Sequence, residues 1–138
     1  MSTTIRPELS NRNKYWIERH RYYELKHFCL QYDIWKQAYN GLSGLTQMNL
    51  SGVFSKTNRP SSPVEKCVEA REYYHRRISM IETAARETDE QLFDYILKAV
   101  TKGYSYDKLL IETGIPCCKD TYYELYRRFF WILNKIRN

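Results

Sequence analysis

Asp120, Glu124 and Arg127, flanked by Tyr123 and Arg128, recur at a spacing that puts them on one side of a helix. Such a polar, partly basic face can donate and accept hydrogen bonds and can pair with a polyanion. The same run places Tyr122, Leu125, Phe129, Leu133 and Ile136 three or four residues apart, as one apolar stripe on the other side. Acid–base and metal chemistry has less to work with. His20 and His27 stand seven apart with no carboxylate or cysteine fixed beside them, and His75 is alone. Imidazoles packed beside Trp16 and Tyr23 are the plainer expectation for the first two. Cys29, Cys67, Cys117 and Cys118 form no C-x-x-C pair and have no histidine at metal-finger spacing, so no zinc site is expected. The adjacent Cys117 and Cys118 are expected as two reduced residues at a helix start, the alternative being a strained vicinal disulfide. No Gly-rich phosphate loop, nucleophile elbow, H-E-x-x-H or calcium loop occurs, and the carboxylates are scattered among basic residues. No enzyme, catalytic residue, cofactor or metal is therefore expected.

The elements that must position the polar face are short and well punctuated. Ser105 is of the type that caps a helix by accepting a backbone N–H, and Gly114 of the type that ends one in the left-handed conformation. A second helix then starts behind Pro116. A short helix, a glycine turn and a second helix with a polar outer face make up a helix-turn-helix. A plain helical hairpin would need the same glycine. What separates the two is the outer face, which keeps Arg and Tyr, and a formal charge of +6 over 138 residues, which favours a polyanionic partner.

Before this pair, residues 1–9 read as a loose arm. From Ser10 to Asn40 no Pro or Gly interrupts, so one long helix is expected. It carries two apolar seams: Trp16, Tyr23, Leu30 and Ile34, and Leu25, Phe28, Tyr32, Trp35 and Tyr39. A helix apolar on two sides must be covered on two sides, within the monomer or by a second copy. Gly41 to Ser62, with three of the five glycines, reads as a linker of which part folds back through Leu45, Leu50, Val53 and Phe54. Ser62-Pro63-Val64-Glu65 forms a capping box with Pro at the first helical position. The helix it opens repeats Val64, Cys67, Arg71, Tyr74, Ile78, Ile81 and Ala85, a heptad seam that Arg71 interrupts. Arg76, Arg77 and Arg86 point outward, toward solvent or a phosphate. Thr88-Asp89-Glu90-Gln91 is a further capping box, opening a support helix with Leu92, Ile96, Ala99 and Val100 inward and closed at Gly103.

The order of these elements, with Gly103-Tyr-Ser-Tyr and then Gly114-Ile-Pro-Cys-Cys-Lys-Asp-Thr-Tyr-Tyr-Glu-Leu-Tyr-Arg-Arg-Phe-Phe-Trp, resembles the ArpU/RinA-type regulators of phage late genes. The C-terminal part of that family is similar to region 4 of sigma factors. The likeness covers mainly residues 89–136. It implies a phage or prophage DNA-binding transcription regulator whose helix after Pro116 enters the major groove. Lys119, Thr121, Tyr123, Glu124 and Arg127 would meet bases and phosphates, and Arg128 the backbone.

The expected fold is all-α, with two long N-terminal helices and a C-terminal three-helix unit containing the helix-turn-helix. The expected division is an N-terminal oligomerisation region, 1–86, with its linker at 41–62, and a DNA-binding domain, 87–138. The partners expected are double-stranded DNA, a second copy of the chain, and host RNA polymerase or a host nucleoprotein effector. A second reading is a phage-borne inhibitor of such an effector, an anti-CRISPR-like protein, because Tyr, Trp and Arg also make protein hot spots and Trp131 falls on the outer side of the last helix. A third is a small DNA-packaging subunit. No apolar run is long enough to cross a bilayer and no secretory signal is present, so a cytoplasmic location in a bacterial host is expected.

Overall fold

The computed structural model describes residues 12–49 and 63–137. Among them every regular element is an α-helix: α1 Arg19–Leu30, α2 Tyr32–Asn49, α3 Pro63–Thr88, α4 Phe93–Lys102, α5 Tyr106–Thr113 and α6 Lys119–Ile136. The expected loose arm at 1–9 and the Ser62 cap lie outside the described residues. The described residues fall into two compact units, one within Met1–Gln31 and Met80–Asn138, the other within Tyr32–Ser79. The chain therefore divides after Gln31 and after Ser79, not at 86/87. The reason is that α1 packs on α4 and α6, so the front of the chain belongs with its end.

The long helix expected from Ser10 to Asn40 is corrected in two ways. It begins only at Arg19, where the Glu18 carboxylate accepts the backbone N–H groups of His20 (3.0 Å) and Arg21 (3.3 Å). Those bonds, with His20 the stronger influence, hold the Glu18 carboxyl below its ordinary range. It also ends at Leu30, where the Gln31 N–H bonds back to Phe28 O at 3.3 Å, a tighter closure than the helical i−4 bond. The linker is shorter than expected, because α2 runs through Gly41 and Gly44 to Asn49. A glycine costs a helix only about 1 kcal/mol relative to alanine, which such a helix tolerates.

In the first unit, α1 buries Leu25 and Phe28 from the second of the two expected seams, together with Tyr22 and Cys29, which neither seam included. Tyr22 meets Phe130 edge-on at 5.2 Å, and its hydroxyl lies 2.6 Å from that of Tyr126. Arg21 ties α1 to the end of α6 by donating from Nε to Asn134 Oδ1 at 2.6 Å. The other seam stays largely open, and His20 and His27 beside it are exposed, not packed under Trp16 and Tyr23. The capping box expected for α4 does not form, and α4 starts behind Leu92 with no side-chain cap. Thr88 donates its hydroxyl back to Ala84 O (2.7 Å), while Asp89 Oδ1 accepts from Gln91 N and Leu92 N, both at 2.9 Å. In the second unit, the half-buried Arg71 lies over the Tyr39 ring and donates to its hydroxyl at 3.2 Å.

Candidate nucleic-acid interface

The site is built on α5, the turn after it and α6. Ser105 Oγ accepts the Lys108 N–H at 3.2 Å and opens α5. Gly114, at φ 66°, closes it with its N–H on Leu110 O. The turn is then held from two sides. Ile115 is buried, and the Tyr106 hydroxyl donates to Cys117 O at 2.6 Å. Beneath it lie Ala99, Leu109 and the rings of Tyr106, Tyr122 and Tyr123, so α4, α5 and α6 share one cluster.

At the start of α6 the Cys118 Sγ lies 3.2 Å from Thr121 Oγ1. The Thr121 hydroxyl and backbone lower the Cys118 thiol's pKa, whereas burial raises that of Cys117. Both are free thiols.

The side chains singled out on this helix do not share one environment. Thr121, Glu124 and Arg128 are exposed and stand three and four residues apart, one row along the outer face. Lys119 is half-buried, with its Nζ 6.0 Å from the Tyr123 ring centroid. Tyr123 is corrected: it is 8 % exposed and belongs to the shared cluster, not to the outer face. The stripe read from the sequence is one row wide, but α6 is covered by both α1 and α5, so Tyr123, Phe130 and Ile132 are buried as well. Arg127 is half-buried, its Nε buried without an acceptor among the described residues, and with Glu124 it lines a cavity of about 190 Å³ against Asn13, Lys14 and Tyr15.

Arg128 borders a second cavity, of about 530 Å³, with Trp131 and Lys135. Trp131 is half-buried, its ring 5.4 Å from that of Tyr15 and the Lys135 Nζ 3.4 Å from its centroid. Lys14 and Tyr15 were not singled out in the sequence. Their signal was Asn13, whose side chain accepts the Tyr15 N–H (2.8 Å) and whose carbonyl accepts the Trp16 N–H (3.0 Å), a local turn of the kind asparagine favours.

On α5, Leu110 and Ile111 face outward, Ile111 being 83 % exposed. Among the described residues no three His, Cys, Asp or Glu side chains gather into a metal site, and no helix is long and apolar enough to cross a membrane. No protein-family model, no curated protein and no solved structure matches the chain.

Proposed function

We propose that the chain binds double-stranded DNA with α6 in the major groove, as a transcription regulator of a phage or prophage acting in the bacterial cytoplasm. The observation that carries this reading is the joint between α5 and α6. It is a capped eight-residue helix, a left-handed glycine and a second helix that turns Thr121, Glu124 and Arg128 outward in one row while its opposite side is buried. Thr121 and Glu124 suit base edges, and Lys119 and Arg128 suit phosphates. Arg127 reaches the row beside Glu124, and Tyr123 supports the helix from beneath. The charge of +6 supplies a salt-dependent, sequence-blind share of the affinity. The phage setting, a homodimer and host RNA polymerase as a further partner rest on the likeness of residues 89–136 to ArpU/RinA-type regulators. A dimer is supported by Ile34, Val68 and Tyr73, apolar side chains that α2 and α3 leave exposed.

The test is a titration against fluorescent duplexes from the neighbouring genome at two salt concentrations, with a shuffled duplex as control. One native duplex should bind tightly. Arg127→Ala should cost about 1–3 kcal/mol there, and Arg128→Ala should lower the salt slope by about one. Equal, weak binding to every duplex, unmoved by both changes, would sink the proposal. Ile111 favours a second reading, in which α5 docks on a host nucleoprotein effector and the chain inhibits it. In that case Ile111→Asp abolishes inhibition of that effector and leaves duplex affinity as it was.

A further inference from the structure

We infer that the furrow between residues 13–15 and the C-terminal two-thirds of α6 is a second nucleic-acid site, for a single unpaired strand. This goes beyond the duplex reading and does not depend on it. The two cavities along α6 share Lys14 and Tyr15, so they adjoin. Together they follow the helix from Glu124 to Ile136, about 18 Å at the helical rise of 1.5 Å per residue, which is a path for a chain and not a socket for one small molecule. Four cations, Lys14, Arg127, Arg128 and Lys135, line it against two acids, Glu87 and Glu124. The balance favours an anion with charges spread along its length.

The rings decide what kind of anion. Tyr15 and Trp131 lie with centroids 5.4 Å apart and planes tilted by 60°, so they offer faces in two directions. Ile132 and Ile136 add apolar wall beside them. A strand of nucleotides has both matching parts, phosphates for the cations and planar bases for the rings. A duplex keeps its bases paired and stacked on one another, and leaves such rings unused. An acidic peptide would satisfy the cations and leave the ring faces empty. Lys135 now sits on the Trp131 ring, its Nζ 3.4 Å from the centroid. An exposed ammonium–ring contact is weaker than base stacking on an indole, so an arriving base displaces the ammonium, which moves to the neighbouring phosphate.

The experiment is fluorescence anisotropy with the full chain and a short mixed-sequence oligonucleotide, offered as a single strand and as its duplex, over a range of salt. Trp131→Leu is compared with the double change Lys14→Gln and Lys135→Gln, both at exposed positions where a folding defect is not expected. Each should weaken single-strand binding by about tenfold and leave duplex binding where it was. The double change should also flatten the single-strand salt dependence by about 1.4, at roughly 0.7 per phosphate contact. Thr121→Ala should do the reverse, weakening the duplex alone. Loss of duplex binding in every protein with single-strand binding intact sinks the duplex proposal and leaves this one standing. Single-strand binding that is absent, or that ignores both furrow variants, overturns it. So does equal displacement of the strand by a glutamate-rich peptide, which would assign the furrow to an acidic protein segment.

Discussion

Gly103 and Gly114 end their helices at φ 72° and 66°, where an L side chain is strained, yet a methyl group would not meet the same surroundings at each. At Gly114 an added Cβ finds open space, so Gly114→Ala carries the backbone cost alone, about 1–2 kcal/mol. At Gly103 the Cβ would meet Leu30 Cδ2 at 3.3 Å. Leu30 is 36 % exposed and can give way, so Gly103→Ala should be the more costly change by a small margin. Urea unfolding of the two variants checks this; a larger loss for Gly114→Ala would contradict the assignment of the contact. Both glycines were legible in the sequence, because few residues other than glycine end a helix in this conformation. That no side chain caps α4 was not. The buried Thr88 hydroxyl is taken by Ala84 O, and Asp89 holds the turn that precedes the helix. The burial of Tyr123 was likewise hidden, since one apolar row says that a helix is covered and not by how many neighbours.

Where α1 meets α6, the contact is made by tyrosines with little water. Tyr22, Tyr122, Tyr126 and Phe130 pack with ring centroids 5.0–6.4 Å apart around the 2.6 Å hydroxyl pair. Burial, then the neighbouring Tyr22 hydroxyl, pushes the Tyr126 phenol well above its ordinary range, and burial does the same to Tyr122. The sign of the consequence follows from which state holds its protons. Below about pH 10 these groups are neutral in both states and contribute no pH dependence. Above it the unfolded chain releases protons that the folded chain keeps, so stability falls as pH rises from there toward the folded-state values. Tyrosinate absorbance should therefore appear in two stages. The share of Tyr122 and Tyr126 should come in the later stage, together with loss of the helical circular dichroism signal. Titration of every tyrosine near its ordinary value, with the helices intact, would mean that the cluster is open to water. Spacing made the burial of Leu25 and Phe28 in the first helical stretch readable, but not that of Tyr22 and Cys29. Its break at Gln31 was not readable either, because no glycine or proline marks it and the closure is made by Gln31 itself, through its N–H on Phe28 O and its side-chain amide on His27 O.

Over the whole molecule, the outstanding feature is that the unit holding α4, α5 and α6 is discontinuous in sequence. Read from the sequence, the chain divides at 86/87, with 41–62 as a linker inside the N-terminal region, because periodicity and turn residues report local structure only. They carry no signal that Tyr22, Leu25 and Phe28 are buried where α1 packs on α4 and α6. Cutting the chain at 86/87 would remove these three side chains from the unit. At about 1.5–3 kcal/mol for each buried side chain, the loss is roughly 5–9 kcal/mol, comparable to the whole stability of a domain, about 5–15 kcal/mol. It also removes the Arg21 bond to Asn134. The fragment 87–138 should then keep helical signal but lack a cooperative thermal transition, and it should bind a hydrophobic dye. Joining residues 12–31 and 80–138 through a short flexible linker in place of the second unit should restore the transition. A fragment 87–138 that melts cooperatively within a few degrees of the full chain would show that α1 is a passenger on the unit and not part of its core. Loss of specific duplex binding in the fragment and its return in the joined protein would tie the posture of α6 to the helix that arrives from the opposite end of the chain.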